Sequence, residues 1–367
     1  DERVKTYTLE NDTAELDFVL GRFPIKYREA EKDEDLSKFL PHHIEKRRKR
    51  GSKEETIRVP AEYEGLKEGD VVGMALGGSG DRLAFALSRR GEEIEAKVFR
   101  LAPFILKDKR GEHSKDEDHL LLCHLVEESP ELFQLVGVRD RELIRLREAY
   151  SARRYVQKDR IACEQRLYQQ VIGRIFLTED GRYPEGLIED AYDQAKANDR
   201  ILTTLIEEEA VRERELKKVI QKLPIWKELF EKIEGCGEVL AAGIVAAAGD
   251  IRRFATPAKL KAYLGVHLLP DGSFPRKRLG KVANWKNEGR QALFLLSEQF
   301  NYRPDSEWGK KLRKFKQNYR ARHPKVVEVE GKKRYTDAHI HKTGRWRTLT
   351  RFVERLWKDW TKLEKAA

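Results

Sequence analysis

Asp116, Asp118 and His119 fall together in Ser114-Lys-Asp-Glu-Asp-His119, just before the apolar positions Leu120, Leu121, Leu122 and Leu125. Ser114 and Glu117 have the spacing of a capping box, so the sequence predicts a helix start there. Asp116 and His119 at i, i+3 share one helix face and offer a carboxylate and an imidazole to a divalent ion. Asp118 is the alternative carboxylate. Ordinary N-terminal helix charge accounts for the same spacing. Glu95 and Asp108 are two further candidate acids of this stretch. A different chemistry is open to Ser273 in Asp271-Gly-Ser-Phe-Pro275, where a hydroxyl follows a glycine, although a turn serine looks the same. Beyond it Arg276, Lys277, Arg278, Lys281, Lys286 and Arg290 surround Trp285, with Gln291 next in line. Arg345, Trp346 and Arg347 repeat the mixture. Cations interleaved with indoles neutralise phosphates and stack on bases; a solvated basic face with core tryptophans is the plainer reading.

Several elements must position these groups. Val71 to Leu76, the glycines Gly77, Gly78 and Gly80, and a second apolar run from Leu83 to Leu87 read as a β-hairpin. Ile94 to Leu101 predicts a third strand and Phe104 to Leu106 a fourth. Residues 1–70 read as an accessory region, with strands at Val4–Leu9 and Thr56–Val59 and a helix or strand at Ala14–Leu20. The basic run Pro41-His-His-Ile-Glu-Lys-Arg-Arg-Lys-Arg50 suits phosphates or a solvated loop equally. Helices over Arg139–Ile172 and Leu187–Leu223 predict an antiparallel arm. Ile233–Gly249 reads as a helix with small residues on one side. These divisions give four parts, 1–70, 71–137, 138–232 and 233–367, in an α+β multidomain chain.

Charge is unevenly distributed. From Cys236 to Ala367 there are 30 Lys and Arg against 13 Asp and Glu, whereas the first 235 residues hold 44 against 50. A basic half joined to a mildly acidic one implies a polyanionic partner, nucleic acid foremost. Cys123, Cys163 and Cys236 lie too far apart for a CxxC zinc pair and read as small buried side chains. The longest small-apolar run is too short to span a bilayer, so the expectation is a cytoplasmic protein with no membrane partner.

The Gly73-Met-Ala-Leu-Gly-Gly78 turn with its flanking runs resembles the first two strands of RuvC-type RNase H-like domains. That resemblance places a metal-binding aspartate at the position of Ala75. It implies two Mg2+ or Mn2+ ions held by that acid, a middle acid (Glu95 or Asp108) and the Asp116/Asp118/His119 group. The segment after residue 233 is similar to the C-terminal domain of Piv-type insertion-sequence transposases. Glu288-Gly-Arg-Gln-Ala-Leu-Phe294 resembles the RNA-gripping motif of Nop domains at Ala292, Leu293 and Phe294. A RuvC-like domain, a helical arm and a mostly α Nop-like domain together resemble the RuvC-bearing Tas proteins of tandem interspaced guide RNA systems. The resemblance implies a prokaryotic homodimer that binds guide RNA and cuts paired target DNA, silenced here by Ala75. The transposase resemblance implies instead a bridge-RNA-guided recombinase with Ser273 as nucleophile. An RNA-binding scaffold is the third expectation.

Overall fold

Short local signals set most of the element boundaries. The computed structural model describes residues 4–48, 55–183, 185–277, 279–280, 282–329 and 331–366. The chain divides into two compact units, Asp1–Arg141 and Glu142–Ala367. In the first, Asn11 accepts a hydrogen bond from the Ala14 amide and starts α1 (Asp12–Val19). β1 (Phe23–Glu29), β2 (Glu45–Arg48) and β3 (Glu55–Glu64) follow and form an antiparallel sheet of order β1-β3-β2. The helix and the strand at Thr56–Val59 accord with the sequence, whereas Val4–Leu9 forms no strand.

The predicted hairpin is not formed. β4 (Val71–Ala75) runs through the glycine turn into a helix, α2 (Asp81–Gly91), and β5 (Lys97–Leu101) returns parallel to β4. Ala84 and Leu87 are buried at i, i+3, the helical rather than the strand period. The fourth strand is likewise a helix, α3 (Pro103–Arg110), with Pro103 in its first turn. α4 (Asp118–Glu128) and the antiparallel edge strand β6 (Phe133–Leu135) complete the unit. Alternation along the strands separates two cores. Val72, Met74 and Val98 face Leu87 and α1, while Ala75, Phe99 and Leu101 face Leu106, Leu122 and Leu125. Gly73 is required between β4 and α4, since a Cβ there would lie 3.2 Å from the Leu122 carbonyl oxygen.

The second unit is built on α5 (Val138–Phe176), whose 39 residues extend about 58 Å at 1.5 Å per residue. The second arm helix is two, α6 (Ile188–Asn198) and α7 (Arg200–Lys222). Asp199 leaves helical geometry between them and accepts from the Leu202 amide at 2.7 Å, so a capping aspartate interrupts the apolar pattern. Ion pairs join these helices: Arg153 pairs with Glu209 and Glu213, Arg160 with Glu209, and Lys196 with Glu164. Its base is continuous with the main core, because Leu146, Tyr150, Leu216 and Ile220 pack with α8 (Glu238–Ala248). α8 begins five residues after the predicted start at Ile233. Its glycine Gly243 admits Tyr150, whose Oη lies 2.9 Å from where a Cβ would stand. Then come α9 (Pro257–Tyr263), α10 (Asn287–Tyr302), α11 (Glu307–Arg322), the hairpin β7 (Val327–Val329) and β8 (Lys332–Arg334), and α12 (Asp337–Ala366). Among the described residues no helix is long and apolar enough to cross a membrane.

Candidate nucleic-acid interface

The acids of the first unit gather only in part. Ala75 ends β4 on the face that packs against Leu121 and Leu122 of α4. Asp118 lies one turn before Leu122 and so shares its helix face. Arg110 donates to both Asp118 oxygens, from Nε and Nη2, each at 2.6 Å. Asp116 and His119 are exposed, and His119 Nδ1 donates to the Asp116 carbonyl at 2.9 Å. Glu95 is elsewhere. Leu101 pairs with Ala75 while Lys97 pairs with Val71, so Glu95 sits beyond the opposite end of the sheet, in a left-handed conformation with φ 58°. Lys97 alone is about 13 Å from Leu101 at 3.3 Å per residue. Asp108 is an exposed residue of α3.

Beneath the glycine turn lies a pair that sequence reasoning missed. Arg100 on β5 and Asp81 at the start of α2 are both buried and 2.7 Å apart, and Arg100 also donates to the Gly77 carbonyl at 2.9 Å. An Asp opening a helix next to glycines was visible; its strand partner was not.

In the second unit a cavity of about 1020 Å³ gathers the basic residues. Arg276 and Lys277 come from the loop after α9, Arg334 from β8, and Lys342 and Arg347 from α12. At its edge Ser273 donates from Oγ to Asp271 Oδ2 at 3.0 Å and from its amide to Oδ1 at 2.9 Å. Asp271 is held below the usual carboxylate range by these two bonds, first the amide and then the hydroxyl. The aromatic side of the cavity is a ring stack. His323 and Tyr335 are parallel at 3.9 Å, and Tyr335 and His339 at 5.7 Å. Tyr335 holds φ 61°, fixed by its amide to His339 Nδ1 and by Arg320 donating to its carbonyl. Non-glycine residues in this region are strained and cluster at functional sites. Burial, and then the charges of Arg276, Arg334 and Lys342, hold His339 below the usual histidine range, so it stacks as a neutral ring.

Not every expected cation faces the solvent. Arg290 lies between the indoles of Trp285 and Trp346, 4.5 and 4.6 Å from their centres, and donates to the Pro275 carbonyl at 2.7 Å. Burial lowers its pKa, and it braces the cavity wall. Trp285 in turn lies against Gly265, where a Cβ would meet its ring at 2.7 Å. Arg345 is consumed by Glu298, Ser297 Oγ and the Phe294 carbonyl. Gln291 accepts from Arg154 at 2.8 Å, and Lys286 is exposed beside Glu288. Of the Nop-like motif, Ala292 and Leu293 are core residues. Arg278 and Lys281 lie outside the described residues.

Residues 227–311 match the family model described as Transposase IS116/IS110/IS902 family. The matched segment contains α8, α9, the Ser273 turn and α10. Over this segment the chain is related to insertion-sequence transposases, a DNA-processing family. No curated protein matches the chain.

Proposed function

We propose that this chain is an RNA-guided, DNA-targeting protein whose cutting centre is silenced. The observation that carries the reading is the second-unit cavity, where Arg276, Lys277, Lys333, Arg334, Lys342 and Arg347 converge beside a stack of aromatic rings. Cations neutralise the phosphates of any nucleic acid, whereas stacking rings hold the exposed bases of unpaired nucleotides. The proposed ligand is therefore a guide RNA with unpaired segments, held by Arg276, Lys277, Arg334, Lys342 and Arg347. Paired target DNA would be presented to the end of β4, and a homodimer is the proposed assembly.

The two-ion chemistry does not fit the residues present. Ala75 offers no donor, Asp118 is bound through both oxygens by Arg110, and Glu95 lies at the far end of the sheet. No catalytic step is derived through Mg2+ or Mn2+ for this sequence; the chain as written binds and does not cut. Because the glycine turn leads into a helix, the position of Ala75 is the carboxyl end of the first strand of a βαβ unit. The test isolates the RNA that copurifies with the chain, sequences it, and offers matching DNA with Mg2+ or Mn2+ to the Ala75→Asp and Ala75→Glu variants. Cleavage by either, absent with Ala75→Asn, supports the reading. Intact DNA with both acids across both metals defeats the nuclease part, and random copurifying fragments defeat guidance.

A second reading rests on a specific observation: the transposase-like segment includes Ser273, whose hydroxyl is paired with Asp271 at the cavity edge. In a recombinase its Oγ would form a bond to phosphorus while the bond to the departing strand oxygen breaks. Phe274 follows where that class carries glycine, and the Asx-turn bonds already account for the geometry. Strand exchange lost in Ser273→Ala, with RNA binding intact, would promote this reading. The scaffold reading remains for a chain in which neither change matters.

A further inference from the structure

Asp17 is a buried carboxylate in α1 on which two imidazoles converge. His42 and His43, from the turn before β2, bring their Nε2 atoms to 2.9 and 2.8 Å from the same oxygen, Oδ2. The other oxygen accepts from Arg22 Nε at 2.8 Å. The three candidate donor atoms all lie within 4.8 Å of one another, and this is the one such group of three among the described residues. We propose that Asp17, His42 and His43 form a binding site for a late first-row divalent cation, zinc above all.

Two features favour this over a simple hydrogen-bond cluster. The donors are two nitrogens and one oxygen, a set that selects zinc and its neighbours over magnesium. Access is provided as well. The Asp17 and His43 side chains are each 3 % exposed, but that of His42 is 43 % exposed, which leaves a solvent path to the cluster. Tetrahedral ligands at the usual zinc distances of about 2.0–2.1 Å stand about 3.3 Å apart, so each imidazole nitrogen must draw back from Oδ2 by roughly 0.5 Å to admit the ion. Arg22 on Oδ1 is the outer partner that orients the carboxylate. His43 Nδ1 is buried without a partner whether Nε2 binds a proton or a metal, so it does not choose between the two.

The site lies outside the β4 end and the cavity, and it stands or falls apart from the proposed function. The test is titration of the full chain, stripped with EDTA, by ZnCl2 and separately by MgCl2, followed calorimetrically and by bound metal after desalting. One zinc per chain, no magnesium, and at least tenfold weaker zinc binding in His42→Ala and Asp17→Asn support the site. His42 is half exposed, so His42→Ala keeps the fold readable by circular dichroism even where Asp17→Asn unfolds the unit. Zinc binding of unchanged affinity in a folded His42→Ala, or no zinc retained by the unaltered chain, overturns it.

Discussion

Arg110 and Asp118 are joined by two parallel hydrogen bonds of 2.6 Å at the place where the first unit would need a free carboxylate. Such a fork is the strong form of a charged pair. It gives the β4 end a cation of its own, and any added acid at position 75 must share Asp118 with it. In the Ala75→Asp background, Arg110→Ala should lower the Mg2+ concentration needed for cleavage. A magnesium titration of cleavage rate in the single and double variants checks this. An unchanged or higher requirement in the double variant removes Asp118 from the metal set.

The buried pair Asp81–Arg100 governs the fold of the same turn. Removing one partner of a buried ion pair costs about 3–5 kcal/mol. Arg100→Met should therefore sharply lower the urea midpoint, and adding Asp81→Asn should recover part of the loss. A loss in Arg100→Met below about 1 kcal/mol, the range of exposed pairs, would mean the pair does not hold the turn.

Salt dependence separates the cavity cations from the braced ones. For single-stranded nucleic acid each phosphate contact contributes about 0.7 to the slope of log K against log salt. Arg276→Gln with Lys277→Gln should flatten the slope for the copurified RNA by about two contacts, roughly 1.4. Arg345→Gln should leave the slope unchanged and reduce thermal stability, since its guanidinium is engaged by Glu298 and Ser297. Equal slopes in all three proteins would move the RNA elsewhere.

Cys236 and Cys123 should differ in reactivity. Burial pushes the Cys236 thiol up to about 12, whereas Cys123 is exposed. A disulfide reagent near neutral pH should modify Cys123 and spare Cys236 until the chain unfolds. The folded value lies above the unfolded one, near 8.5. The contribution to stability is therefore complete below that pH and declines as pH rises towards 12. Mass spectrometry of the native labelled protein checks the first point, and prompt labelling of Cys236 contradicts it.

How much could be read in advance differs by element. The long α5 and the charged arm follow from local pattern, because helical periodicity is a property of neighbours in sequence; Ser114 caps only a 3-10 turn, Lys115–Glu117, and α4 begins at Asp118. Leu83 to Leu87 was misread, since a short apolar run fits both periods until its burial is known. The break at Asp199 had a visible signal in the aspartate itself, which competes with the helix by capping the next one.

For this chain, sequence alone determined the basic half and the residue types that could meet phosphate or metal. Charge and composition do not depend on where the chain goes. Tertiary structure decided which of those groups share a place. It set Glu95 at the wrong end of the sheet, committed Arg290 and Arg345 to internal bonds, and brought Arg334 and Lys342 to the Ser273 turn. It also turned His42 and His43 onto Asp17, 25 and 26 residues away. Strand direction and long-range packing made those choices, and neither is encoded in the spacing of neighbouring residues.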